Sequence, residues 1–115
     1  MKILGFEYDV KFVEKITELE NVAGCCDTEK QTIEILDCYD QQFTAVVFLH
    51  ELLHAILDAT AQKHNEKWIE AVSRGLFQVL QDNPDILKPV KQHFAAKLRE
   101  AANGERRYYS TSVTR

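Results

Sequence analysis

The amino-acid sequence predicts an α+β fold, with a small N-terminal β-sheet or hairpin packed on a central helix. Short β-rich runs occur within residues 1–40, and residues 41–61 lack glycine and proline and are rich in apolar side chains. Further helical patterns follow. The 115 residues suffice for a single domain, predicted over residues 1–104, and residues 105–115 form a polar, basic tail that we expect to be loose.

The N-terminal part of the chain mixes strand and helix signals. Apolar residues alternate over residues 2–8, which predicts a short strand, whereas residues 10–19 have apolar side chains at a spacing that also fits a short helix. Two β-rich runs then flank the polar segment 27–31, a pattern typical of a hairpin. In the second run, Ile33 and Ile35 are expected to share one face of the strand.

Three helices are predicted in the rest of the chain. Asp40 is a suitable N-cap for the first, over residues 41–61, whose apolar side chains surround the helix axis. A helix of that kind is usually central to its domain. The second helix is predicted over residues 67–80, and the third begins near Pro89 and ends at Asn103.

Composition excludes several classes of function. The net charge of −4 argues against a general nucleic-acid binder, which needs a basic face. No apolar stretch approaches the roughly 20 residues that a membrane span needs, and an early acidic residue argues against a signal peptide. The three cysteines, Cys25, Cys26 and Cys38, cannot form a closed set of disulfides. We therefore expect reduced thiols in a cytoplasmic protein with no nucleic-acid or membrane partner.

The segment His50-Glu51-Leu52-Leu53-His54 is an H-E-x-x-H motif inside the first predicted helix. Positions four apart differ by about 40° around a helix axis, so both imidazoles project from one face and can share a metal ion. Zinc accepts neutral imidazole nitrogens at about 2.0–2.1 Å. Glu51 lies about 100° round from His50 and is the predicted general base towards a water activated by the metal.

A catalytic metal site of this kind needs a third protein ligand. Leu57 and Thr60 occupy the places of the glycine and histidine of the longer H-E-x-x-H-x-x-G-x-x-H motif, which excludes that pattern. The remaining candidates lie on the same helix, in the connection that follows it, or on the second helix: Asp58, His64, Glu66 and Glu70.

Glu70 is the favoured third ligand. Asp58 drifts off the metal-facing side of the first helix, and His64 and Glu66 lie in or next to the polar connection 62–66, where a ligand is poorly held. Glu70 falls within the second helix, where its neighbours would fix it. Because Glu66 and Glu70 both edge the apolar face of that helix, the helical wheel leaves both open, with Glu70 preferred.

Residues 48–56 and 68–76 resemble the matching segments of the small phage- and prophage-borne ImmA/IrrE-like zinc metallopeptidases. In that family, H-E-L-x-H is followed by a second helix in which a glutamate directly before an alanine is the third zinc ligand. The resemblance implies three zinc ligands and a general base at these positions: His50, His54 and Glu70 as ligands and Glu51 as the base.

The resemblance also implies a fold and an activity. The expected fold is a minimal zincin-like domain, with a small sheet before the metal-binding helix and one strand at the cleft edge, for which residues 33–36 are the candidate. The expected activity is that of a zinc-dependent metalloendopeptidase that hydrolyses peptide bonds of a protein or peptide. The alternative is a phage-encoded zincin-like protein that uses the zincin shape, with or without metal, to bind a host protein without catalysis. The basic and aromatic segment 106–109 of the tail is compatible with this alternative.

Overall fold

The computed structural model of the protein describes residues 1–16 and 22–103. Within these residues, five short strands precede three helices, which confirms the predicted α+β class. Among the same residues, no helix is both long enough and apolar enough to cross a membrane.

The backbone divides into two compact units along the chain. The first, Met1–Asp82, contains all five strands and two helices, and the second begins at Asn83 and contains the third helix. The prediction of one domain over residues 1–104 stays a prediction. The tail predicted at residues 105–115 lies outside the described residues.

The strands form two small sheets. An antiparallel ribbon pairs β1 (Lys2–Ile3) with β2 (Phe6–Glu7). The second sheet has the order β3 (Asp9–Val13), β5 (Thr32–Leu36), β4 (Gly24–Asp27). In it, β3 runs parallel to β5 and β4 runs antiparallel to β5.

Residues 10–13, for which the sequence allowed either a strand or a helix, form a strand because they pair with β5. The helical alternative over residues 10–19 is wrong for its first part, because β3 pairs along its whole length with β5, from Asp9 opposite Thr32 to Val13 opposite Leu36. The backbone donors and acceptors of β3 are therefore met by a distant strand rather than within one helical turn.

The predicted hairpin is confirmed by the antiparallel pair β4 and β5. Its turn is stabilised by Asp27, whose Oδ1 accepts hydrogen bonds of 3.0 Å from the backbone N–H groups of Glu29 and Lys30. Gln31 then adopts a φ of 55°, which brings the chain into β5.

The hydrophobic core lies between the three-stranded sheet and the first helix. Ile33 and Ile35 are 0% and 1% exposed, as their alternation in the sequence predicts. Since β5 has neighbours on both sides, the expectation that residues 33–36 form an edge strand is wrong. The edge strand that contacts the first helix is β4.

The first helix, α1 (Gln41–Ala59), begins as predicted. Asp40 is its N-cap, and Oδ1 of Asp40 accepts a 2.7 Å hydrogen bond from the backbone N–H of Phe43. At the C-terminal end, the backbone N–H of Thr60 donates to the carbonyl of Ile56 at 3.0 Å. Ala61 follows with a φ of 55°, so the chain leaves the helix two residues earlier than the sequence predicts.

The second helix, α2 (Glu66–Asp82), starts one residue before its predicted beginning. Asn65 precedes it, and Oδ1 of Asn65 accepts a 3.1 Å hydrogen bond from the backbone N–H of Trp68. The buried side chains of α2 are Ile69 and Ser73, one turn apart, and this helix packs on α1. In the second unit, α3 (Lys88–Ala102) has proline in its first turn, as predicted.

Candidate metal centre

The two histidines of the H-E-x-x-H motif lie on one face of α1. The ring centroids of His50 and His54 are 5.1 Å apart. Both side chains are mostly buried, with 21% and 18% of their surface exposed. Because residues four apart share a helical face, α1 presents both Nε2 atoms in one direction without backbone strain.

Glu66 completes a cluster with these histidines. Its Oε2 lies 3.1 Å from Nε2 of His50, and its Oε1 lies 2.8 Å from Nε2 of His54. Glu66 is the first residue of α2, so the hydrogen bond that Asn65 accepts from this helix also fixes the backbone next to Glu66. The short connection from α1 to α2 thus brings a carboxylate onto the two imidazoles.

The cluster has the dimensions of a metal site. Ligand atoms bound tetrahedrally to zinc at about 2.0–2.1 Å lie about 3.3 Å from one another. The separations of 3.1 and 2.8 Å are close to that spacing. One ligand atom from each of His50, His54 and Glu66 lies within 4.8 Å of the other two. These three side chains could therefore hold a metal ion.

Glu51 is a buried carboxylate next to this cluster, with 8% of its surface exposed. Burial raises the pKa of Glu51 above its ordinary value, Glu66 raises it further, and His50 opposes the shift. A carboxylate with a raised pKa is a stronger proton acceptor than a solvated one.

The backbone of β4 lies directly against Glu51. A Cβ atom on Gly24 would lie 2.7 Å from Cγ1 of Val47 and 3.2 Å from Oε2 of Glu51. Only glycine therefore allows β4 to approach α1 this closely without a shift of one of these side chains.

His54 has a second imidazole as its neighbour. Its Nδ1 lies 2.7 Å from Nδ1 of His64, the ring centroids are 5.0 Å apart, and the two ring planes differ by 16°. Burial lowers the pKa of His54, and His50 and His64 lower it further against the opposing effect of Glu66. This shift favours the neutral imidazole, which is the form that binds metals.

A cleft of about 310 Å³ opens beside the cluster. Its walls come from β4 and the residues before it, from α1, and from α2. Apolar side chains include Val22, Phe43 and Val46, while Glu70 and Arg74 of α2 supply charged groups. The cleft is large enough for one or two amino-acid side chains beside the cluster.

The structure does not bring all the sequence-predicted residues together. His50 and His54 share one face of α1 as the motif predicts, the carboxylate that lies against both belongs to Glu66, and Glu51 lines the adjacent cleft. Glu70 lies one turn further along α2, is exposed, and lines the cleft without joining the cluster. Glu70 as third ligand thus stays a prediction from the sequence, and the geometry favours Glu66.

Two further residues have roles that the sequence analysis missed. Gly24 was assigned no role, although a glycine inside a β-rich run often marks a close approach of another backbone or side chain. His64 was considered only as a ligand and not as a partner of His54. Its position two residues before Glu66 was the available signal.

No family model matches the chain, and neither the curated proteins nor the solved structures include a significant match to it.

Proposed function

We propose that the protein is a zinc-dependent metalloendopeptidase with Glu51 as its general base. The observation that carries the proposal is the convergence of two imidazole nitrogens and one carboxylate, all within 4.8 Å, next to the buried Glu51. Two nitrogen donors and one oxygen donor are a common ligand set of catalytic zinc, which keeps a fourth position open for water or substrate.

The fold and family belong to the same proposal. In this chain a small sheet precedes the H-E-x-x-H helix, and a second helix follows with a carboxylate that faces the histidines. This arrangement is the one expected of a minimal zincin-like domain of the ImmA/IrrE-like kind. Glu66 takes the place of the third ligand in this proposal, because its oxygens lie at hydrogen-bond distance from Nε2 of His50 and of His54.

Four side chains of this protein have separate roles in the proposed hydrolysis. When bound, the ion supplies Lewis-acid polarisation of a carbonyl and lowers the pKa of water. His50, His54 and Glu66 would hold it on the face where α1 and α2 meet. Glu51 accepts a proton from the attacking water at its carboxylate and delivers that proton to the leaving nitrogen, so the amine departs neutral. Burial of Glu51 supports this role because it makes the carboxylate more basic.

An extended peptide is the substrate that the surroundings favour. Within residues 1–16 and 22–103, β4 pairs with β5 on one side only, so its other edge presents free backbone groups. A peptide that adds to this edge lies alongside Gly24 and therefore close to Glu51. Backbone pairing holds a peptide with little dependence on its side chains. We accordingly propose a protein or peptide substrate and a cytoplasmic location, with free cysteines as support for the latter.

The substitution Glu51→Gln tests the mechanism. The variant keeps the size of the side chain and loses its ability to accept a proton. We expect it to bind zinc with the same stoichiometry as the wild type and to cleave a quenched-fluorescent peptide library at least about 10²-fold more slowly. The matched control is Glu29→Gln in the exposed turn between β4 and β5, which should cleave at the wild-type rate. Cleavage by Glu51→Gln at the wild-type rate would refute the proposed mechanism.

The competing proposal is a phage-encoded host-protein binder without catalysis. It uses the zincin shape to bind the host protein, and residues 106–109, which are compatible with it, lie outside the described residues. Removal of the tail separates the two proposals. A host-protein binder should stop binding its partner when the tail is removed and should still bind it in the Glu51→Gln variant. A peptidase should lose peptide cleavage in the Glu51→Gln variant.

A further inference from the structure

His64 lies in the connection between α1 and α2, two residues before Glu66. Its Nδ1 is 2.7 Å from Nδ1 of His54, and the planes of the two rings are 16° apart, so the rings meet end to end. We propose that His64 is a positioning residue for the metal centre, because its Nδ1 can accept a hydrogen bond from Nδ1 of His54 in the tautomer that leaves Nε2 free to bind the ion. The inference rests on the metal site of the proposed function.

When no ion is bound to Nε2 of His54, hydrogen-bond chemistry determines which tautomer its two contacts allow. A carboxylate oxygen only accepts hydrogen bonds, so the 2.8 Å contact between Nε2 of His54 and Oε1 of Glu66 places a proton on Nε2. A neutral imidazole has one N–H, and Nδ1 of His54 is then an acceptor. The 2.7 Å contact between the two Nδ1 atoms therefore requires that His64 donates.

Metal binding reverses this arrangement. If Nε2 of His54 used its lone pair to hold an ion, the single proton of the neutral ring would have to sit on Nδ1. The Nδ1–H of His54 then donates to Nδ1 of His64, whose own proton sits on its Nε2. The proton count of the pair is unchanged: the proton between the two rings moves from His64 to His54, solvent takes a proton from Nε2 of His54, and Nε2 of His64 takes one from solvent.

An imidazole suits this position because it can serve in both states. A carboxylate next to Nδ1 of His54 would accept in the metal-bound state and would have nothing to donate in the metal-free state. A lysine ammonium would only donate, which would hold Nε2 of His54 protonated and weaken metal binding. His64 donates before the ion binds and accepts afterwards, so Nδ1 of His54 has a partner throughout.

The tautomers can be observed directly at a single pH. Long-range ¹H–¹⁵N spectra of the full chain labelled at histidine report which ring nitrogen carries the proton. Without metal, we expect His54 protonated on Nε2 and His64 on Nδ1. One equivalent of Zn²⁺ should exchange the protonated nitrogen in both rings. If the tautomer of His64 is the same with and without Zn²⁺, the inference is overturned.

Zinc affinity measured by competition with a chromophoric chelator supplies the second readout. His64→Ala should weaken binding about 10- to 100-fold. His64→Asn, whose amide oxygen can replace Nδ1 as an acceptor, should restore most of the affinity. His93→Ala, at an exposed position on α3, is the matched control and should bind as the wild type does. Wild-type affinity in His64→Ala would overturn the inference.

Two outcomes separate this inference from the metal site itself. The visible spectrum of the Co²⁺-loaded protein should be the same in His64→Ala as in the wild type, because His64 is not a ligand. If the Co²⁺ spectrum of His64→Ala differs from that of the wild type, and His64→Asn does not restore the affinity for Zn²⁺, then His64 is a ligand. That result would overturn this inference and leave the proposed metal site standing. If the wild type binds no Zn²⁺, or if His50→Ala leaves binding unchanged, the proposed metal site fails and the inference fails with it.

Discussion

Oε1 of Glu66 lies 2.8 Å from Nε2 of His54, so the first residue of α2 reaches across to the C-terminal half of α1. The contact depends on where α2 begins. Asn65 caps the helix through the backbone N–H of Trp68, and this places Glu66 at the first helical position, where it faces the histidines. Glu70, one turn later on the same helix, lines the adjacent cleft and is outside the group of His50, His54 and Glu66 whose ligand atoms lie within 4.8 Å of one another.

Paired substitutions on α2 distinguish the two glutamates. Glu66→Gln should weaken Zn²⁺ binding at least about 100-fold, because a neutral amide replaces a charged ligand. Glu70→Gln changes the same chemistry at an exposed position and should change the affinity less than about threefold. Competition with a chromophoric chelator measures both. The opposite ranking would assign the third ligand to Glu70.

The close approach of β4 to α1 predicts opposite effects at two glycines. Gly24→Ala places a Cβ 2.7 Å from Cγ1 of Val47 and should lower the free energy of unfolding by about 1–3 kcal/mol through overpacking. Gly75→Ala adds a Cβ to α2 that meets no atom within 4 Å. Because alanine favours a helix over glycine, this variant should raise the free energy of unfolding by about 0.5–1 kcal/mol. Urea denaturation measures both values. Equal effects at the two positions would mean that β4 does not pack tightly against α1.

Burial of Glu51 predicts a pH-dependent difference between the wild type and Glu51→Gln. The pKa of Glu51 is raised in the folded state from a value of 4.5. Folding therefore opposes the ionisation of Glu51. The protonated carboxyl stabilises the fold relative to the ionised one, and this stabilisation is lost as the pH rises through the folded-state pKa. With a chelator present, Glu51→Gln should be more stable than the wild type at pH 7, and the difference should close below about pH 4. Urea denaturation at both values tests this, and a difference that widens towards acid would contradict it.

The environment of Cys26 predicts slow alkylation. Burial, followed by the charge of Glu51, raises the pKa of Cys26 from 9.0 to about 12. At pH 8 its thiolate fraction is then about a thousandfold lower than that of a thiol with a pKa of 9.0. Iodoacetamide should modify the exposed Cys38 first and Cys26 last in the native protein, as followed by peptide mass spectrometry. Equal rates at Cys26 and Cys38 would show that Cys26 is not protected.

Local patterns predicted those parts of the structure that local interactions determine. Asp40 and the uninterrupted apolar run after it predict the start of α1, and the four-residue spacing of His50 and His54 places both rings on one face. The alternation of Ile33 and Ile35 predicts which face of β5 is buried. Each of these depends on neighbours within a few residues along the chain.

Features that depend on distant partners were not predictable in the same way. Whether β5 is central or at the edge depends on the pairing of β3 beside it, and the apolar spacing in residues 10–19 allowed a helix there instead. The choice of Glu66 over Glu70 depends on the first residue of α2. Asn65 is a strong N-cap residue and is the local signal for that start, but the polar composition of residues 62–66 also fits a connection.

The three side chains of the candidate metal centre come from the helical hairpin formed by α1 and α2. An ion held there ties two sequential helices together across a short connection. Its binding should therefore raise the thermal stability of the hairpin in proportion to the logarithm of the free-ion concentration once sites are saturated. The hairpin should remain protected from amide hydrogen exchange under conditions in which the short β1–β2 ribbon has already opened.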